Sequence, residues 1–207
     1  MKPEEIEALS FKIIDHEAQA HTFNAMQWQV VRRMIHTSAD FDYQTSVRFH
    51  PDAIAAGLGA IRRGKTIITD TTMAMAGIRK KELSRFGVSV ECLINNEKVN
   101  KIAAAAGTTR AKAAVDAALE KMEDGIYVVG NAPTALLRLI EVVRENKAGP
   151  ALIVGLCVGF VNAAESKAAL IELDFPYISN IGRKGGSNVA ASVVNALAIL
   201  ATGTKFV

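Results

Sequence analysis

The side chains in this sequence that could carry a proton, grip an anion or hold a metal are few. The four histidines, His16, His21, His36 and His50, form neither an HExxH pair nor a cluster with carboxylates at metal-ligand offsets, so their spacing argues against a zinc site. His36 stands apart because it closes an amphipathic segment beside Arg32, Arg33 and a polar turn, His36-Thr37-Ser38-Ala39-Asp40. Cationic neighbours push an imidazole pKa down and a helix C-terminus pushes it up, so its charge stays open; a capping histidine and a proton-transfer group both fit. Residues 59–66 (GAIRRGKT) match the P-loop pattern literally. That motif needs a strand before it and a helix after it, and here a helix closed by Gly64 comes first and a strand follows. No GxGxxG follows any strand, and the two cysteines, Cys92 and Cys157, match no CxxC pattern and read as buried strand residues.

Four further segments draw attention together: 70–77 (DTTMAMAG), 130–134 (GNAPT), 155–167 (GLCVGFVNAAESK) and 180–187 (NIGRKGGS). Each follows a β-rich run and brings cap residues, glycines or cations to the start of a helix, where backbone amides and the helix dipole favour anions. Turn and cap chemistry explains any one of them. All four at one sheet edge point to a crevice for a large polyanionic ligand.

The elements that must position these residues follow from periodicity. Helices are expected over 3–20, 24–35 with Asn24 as cap, 51–63, a turn or two after Thr71, 98–122 broken at Gly107, 133–146, 163–173 and 187–200. Strands are expected over 46–49, 66–69, 88–93, 126–129, 151–154 and 177–179. Such alternation predicts an α/β fold, a single domain with a mostly parallel sheet and helices on both faces, in which ligands bind outside the carboxyl ends of the strands.

Composition narrows the function classes. With 207 residues, half of them hydrophobic and 22% charged, the chain can bury a sizeable core. A net charge of +3 is far from the concentrated positive field of a nucleic-acid binder, so no nucleic-acid partner is expected. No apolar run approaches the roughly 18 residues of a membrane span, and the acidic, amphipathic start does not read as a signal peptide, so the expectation is a cytoplasmic protein without a membrane partner.

The sequence is similar to the precorrin-8X methylmutase family, which includes the cobalt-precorrin-8 methylmutases. The segments that carry the likeness are 6–14 (IEALSFKII), 31–40 (VRRMIHTSAD), 69–78 (TDTTMAMAGI), 130–136 (GNAPTAL), 158–167 (VGFVNAAESK) and 182–187 (GRKGGS). They run in order over nearly the whole chain, with one departure at Cys157, where the family more usually has proline. The resemblance implies a homodimeric parallel α/β fold with its site near the subunit interface. It implies an isomerase of cobalamin biosynthesis that moves a methyl group from C11 to C12 of a tetrapyrrole substrate without a redox cofactor, cobalt being at most part of the substrate. It places the catalytic histidine on His36 and a substrate contact on Ser10. Beside these, residue chemistry nominates Arg33 to orient or balance the ligand, Arg183, Lys184, Ser187 and Lys167 as donors at helix N-termini, and Thr71, Thr72 and Thr134 as hydroxyls. Met73 and Met75 would pad the ring face, and Arg110 would reach across the dimer. A noncatalytic corrinoid carrier would use the same crevice without His36, and a P-loop NTPase would need Lys65 and Mg²⁺.

Overall fold

The computed structural model describes residues 2–203. The chain order is α1 (Pro3–Glu17), α2 (Ala25–Ser38), α3 (Asp42–Ser46), β1 (Val47–Phe49), α4 (Ala53–Arg62), β2 (Ile67–Thr69), α5 (Thr72–Gly77), α6 (Lys80–Leu83), β3 (Val90–Cys92), α7 (Glu97–Ala105) and α8 (Arg110–Asp116), then β4 (Ile126–Val129), α9 (Pro133–Arg144), β5 (Leu152–Gly155), α10 (Ala163–Ile171), β6 (Tyr177–Asn180) and α11 (Ser187–Ala201). The strands form one six-stranded sheet ordered β1-β6-β5-β4-β2-β3.

Side-chain alternation along the strands builds two cores. Ile67, Ile126, Val128, Leu152, Val154 and Ile178 face a layer formed by α1, α2, α4 and α11. Ile68, Tyr127, Val129, Ile153 and Tyr177 face the opposite layer, built on α8, α9 and α10. Central strands buried on both faces are the pattern of a parallel sheet covered by helices. β2 through β6 are parallel to their neighbours, but β1 is an antiparallel edge, with Val47 opposite Asn180. Antiparallel pairing brings the start of β1, and the α2–α3 turn before it, to the carboxyl end of β6.

Local chemistry sets the ends of α2. Asn24 accepts the amides of Met26 and Gln27 while the Gln27 side chain accepts the Asn24 amide, a reciprocal capping box. At the other end Ala39 turns left-handed and its amide reaches the Ile35 carbonyl.

The structure corrects several sequence expectations. α1 stops at Glu17, short of residue 20, and α2 continues past residue 35 to Ser38, so His36 lies within the last helical turn. The stretch 98–122 breaks around Gly107 into α7 and α8, as expected, but α8 ends at Asp116, short of residue 122, and the short helices α3 and α6 were not anticipated. Cys157 is buried but lies beyond the end of β5, and Cys92, in β3, is only half-buried. Gly64 does close the helix before the P-loop match, with a φ of 69° that favours glycine, and the Lys65 ammonium pairs with Asp124 at 2.9 Å.

Candidate active site

The nominated residues gather into three neighbourhoods on the carboxyl edge of the sheet, and one of these residues, Lys167, is turned into the protein. His36 and Ser10 line a cavity of about 380 Å³ with Ile13, Ile14, Glu17, Ile35, Ala39 and Phe41. The cavity mixes apolar walls with a hydroxyl, an imidazole and a carboxylate. The His36 ring lies 5.0 Å from the Phe11 ring, and among the described residues neither of its nitrogens has a hydrogen-bond partner. Ser10 sits one turn above Ile6 and donates to its carbonyl at 2.9 Å.

Arg33 is buried one turn before His36. Its guanidinium pairs with Glu7 at 2.5 Å and stacks 4.7 Å from the Phe11 centroid, on the ring that Arg32 also covers at 4.3 Å. Burial raises the pKa of Glu7, but the Arg33 hydrogen bond and charge outweigh it and hold the carboxyl below its ordinary value. For His36 the signs align differently. Burial first, then the Arg33 charge, push its pKa below that of an ordinary imidazole, against an upward pull from Glu7. The charge that the sequence left open is thus settled toward the neutral ring at pH 7.

The second neighbourhood is a cavity of about 390 Å³ lined by Asp70, Thr71, Thr72, Ile94, Asn95, Arg110, Ala111, Asn131 and Ala132. Thr71 caps α5 by accepting the Ala74 amide, and its hydroxyl lies 2.8 Å from that of Ser187 at the start of α11. Thr134 sits nearby on α9, its hydroxyl 3.0 Å from that of Thr109. Met73 is exposed on α5 and Met75 half-buried.

One expectation about anions changes here. The turn into α9 was expected to offer amides to a ligand, yet the buried Asp70 carboxylate already accepts the amides of Gly130, Asn131 and Ala132 at 2.8–2.9 Å. An internal carboxylate fills that helix N-terminus and ties the turn after β4 to the end of β2. Sequence reasoning missed Asp70, although its place directly after a buried strand and before two threonines was a usable signal.

The Gly182–Ser187 segment follows β6 at the same edge. Arg183 is exposed, its guanidinium 5.6 Å from the ring of Phe160, which with Val161 projects from the β5–α10 turn into solvent at 85% and 77% exposure. Lys184 binds Asp40 and Asp42 at 2.6 Å each, a bond that holds the α2–α3 turn beside the basic loop and pulls the Asp40 pKa down. Lys167 departs most from expectation. It was nominated as a ligand donor at the head of α10, but α10 turns it toward β6, where it is fully buried and its ammonium meets Asn180 and the Lys184 carbonyl.

A neutral imidazole beside an apolar cavity, with cations and hydroxyls along the same edge, suits an α/β enzyme that binds a large polyanionic molecule and acts on it by proton transfer. Comparison with known proteins makes the class particular. Residues 5–200 match the description of the precorrin-8X methylmutase family. The chain is 45% identical to the cobalt-precorrin-8 methylmutase of Priestia megaterium over 97% of its length and 89% of that protein's. It is 43% identical to the Salmonella typhimurium enzyme of the same name, over 95% of this chain and 94% of that one. A crystal structure of precorrin-8X methylmutase from Thermus thermophilus superposes with a TM-score of 0.90 at 45% identity, covering 96% of each chain. The chain belongs to the precorrin-8X methylmutase family, isomerases of cobalamin biosynthesis.

Proposed function

We propose that this chain moves a methyl group from C11 to C12 of the ring of precorrin-8X or cobalt-precorrin-8, giving hydrogenobyrinate or its cobalt counterpart, with His36 as the proton donor or acceptor. The observation that carries the assignment is the unpartnered, half-buried imidazole facing the same cavity as Ser10. The rearrangement breaks the bond from C11 to the methyl and forms the bond to C12, so it is redox-neutral and any proton lent to the ring is returned. His36 starts neutral, and the carboxylates of an arriving substrate raise its pKa toward the working pH, which is the condition for efficient proton exchange with a ring nitrogen or ring edge.

Ser10 and Arg33 orient the substrate beside His36, with Arg33 acting while held to Glu7. Thr71, Thr72 and Arg110 serve carboxylates from the second cavity, with Thr134 and Ser187 beside it, Arg183 and Lys184 serve them from the basic loop, and Met73 and Met75 face the ring. Holding the ring in one orientation is the remainder of the catalytic task. The working unit is a cytoplasmic homodimer; the dimer, as distinct from the compartment, is supported by the exposed stripe Ile6, Leu9 and Ile13 along α1, close to the His36 cavity. Among the described residues no helix is long and apolar enough to cross a membrane.

The test is the visible spectrum of precorrin-8X and of cobalt-precorrin-8 with wild-type protein and His36→Ala, since moving the methyl changes the conjugated system. Conversion by wild type and binding without conversion by the variant is the expected result. Equal conversion by both refutes the role of His36, and binding without conversion by both means a carrier.

A further inference from the structure

We propose that Lys167 is a positioning residue for the reaction: without touching substrate, it holds the loop 181–186 in the shape that receives the substrate's carboxylates. The proposal rests on the reading above that this loop binds those carboxylates.

The Lys167 side chain has no solvent exposure, and among the described residues no carboxylate pairs with its ammonium. Buried cations are ordinarily matched by an acid, because desolvating a charge is costly. Here both acceptors belong to the base of the loop: the Asn180 side-chain oxygen at 3.1 Å and the Lys184 carbonyl at 2.6 Å. Asn180 works in concert, its side-chain amide donating to the carbonyls of Lys184 at 2.9 Å and Ile181 at 3.2 Å. The Gly159 amide takes the Arg183 carbonyl at 3.2 Å, and the Gly186 amide donates to Leu156 at 2.8 Å.

The carbonyls of Ile181, Arg183 and Lys184 are therefore all drawn onto donors of the protein. In contrast, the amides of residues 182–185 have no acceptor among the described residues. A loop with these three carbonyls bound and the amides of 182–185 free, carrying Arg183 and leading into α11, is shaped for carboxylates. Burial lowers the pKa of Lys167 to about 8, which measures how unfavourable its site is for a charge. A side chain kept only for stability would not be an unpaired ammonium in this place; an apolar side chain of similar length would serve better.

The experiment compares wild type, Lys167→Met, Asn180→Ala and Arg183→Ala in steady-state conversion of precorrin-8X, with thermal unfolding and hydrogen exchange of the bonded Gly159 and Gly186 amides. Lys167→Met is expected to unfold no earlier than wild type, to exchange faster at the Gly159 and Gly186 amides, and to raise KM about tenfold, the equivalent of one lost hydrogen bond, with kcat within about twofold. Asn180→Ala loosens the same carbonyls from the other side and gives the same split, so it decides the matter if Lys167→Met does not fold. Unchanged KM in these variants, or a lowered unfolding temperature without a change in KM, overturns the proposal. Arg183→Ala separates the two readings. If none of the three variants raises KM, the loop does not bind carboxylates and both fall; if Arg183→Ala raises KM while Lys167→Met and Asn180→Ala do not, only the positioning role falls.

Discussion

Asp70 is the residue on which the shape of the sheet's carboxyl edge most depends. It is almost wholly buried, and its two oxygens serve three backbone amides of the β4–α9 turn. Replacing it by alanine leaves the Gly130 amide stranded in a buried site, while those of exposed Asn131 and half-buried Ala132 can recruit water. Hydrogen bonds to a charged acceptor are worth about 1.5–3 kcal/mol each, and a stranded buried donor about 1–3 kcal/mol. Against this stands the cost of burying the carboxylate, which outweighs the three donors and raises its pKa. Burial thus offsets the three bonds, and what Asp70→Ala loses is chiefly the stranded Gly130 donor, about 2 kcal/mol, or about 4–8 °C in unfolding temperature for a chain of this length. Asp70→Asn keeps one oxygen and turns an amide toward at least one donor, so it loses about half as much. Urea unfolding with a common slope for all three proteins measures both values. A loss under about 1 kcal/mol for Asp70→Ala, or an asparagine variant as unstable as the alanine one, would refute the assignment of these bonds as the tie between β2 and the turn after β4.

Other consequences are sharper in sign than in size. Because burial and Arg33 lower the pKa of His36, the acid limb of kcat/KM falls below the ordinary imidazole value of 6.5, and Glu7→Gln, which removes the upward pull, moves it further down; a limb moving upward contradicts the described field. Gly185→Ala places a Cβ 2.2 Å from the Leu156 carbonyl oxygen, a backbone atom that cannot rotate away, so the basic loop must shift and product affinity, read by titration with hydrogenobyrinate, must fall. Lys167 carries the pH prediction. Its folded pKa of about 8 lies below the ordinary 10.5, so between these values the unfolded chain binds more protons and wild-type stability rises with pH. At about 1.4 kcal/mol per pH unit the gain over Lys167→Met approaches 3 kcal/mol, and a flat difference between the two proteins from pH 7.5 to 10.5 excludes a depressed pKa.

Most of the architecture was legible because the signals for it are local. Alternating β-rich and helical segments predicted the layers, Asn24 announced the start of α2, and Gly64 announced the stop that disqualifies the P-loop match. The antiparallel edge was not legible, since periodicity in β1 reports burial and says nothing of which neighbour the strand joins. Site residue types were legible and their directions were not. Lys167 and Lys184 are both lysines in segments that follow strands of the same edge, yet one points into the protein and the other pairs with Asp40 and Asp42 across the fold. Those partners lie 13 and more than 140 residues away in sequence, and only the tertiary fold decides them. The Asp70 bonds escaped notice for the same reason, because their donors sit 60–62 residues downstream.

What remains unexplained by stability alone is concentrated in one place. An unpaired ammonium lies under the loop after β6, and large apolar side chains stand in solvent after β5. Asn162 takes a positive φ at the head of α10, and Gly186 adopts a φ of 135° at the head of α11. The first two are local choices that a sequence optimised only for folding would avoid, while Asn and Gly are the residues that make such tight turns readily; features of the first kind collect where function sets the requirement. All four belong to segments leaving the carboxyl ends of adjacent strands β5 and β6, whereas at the entry to β5 the Ala151 amide is simply bonded to the Gly125 carbonyl before neighbouring β4. An apolar projection beside Arg183, over a loop with free amides, complements a broad ring fringed by carboxylates. The same substrate would cover Phe160 and Val161 and bring negative charge above Lys167, relieving both departures at once. Substrate binding should therefore stabilise this edge more than any other part of the fold.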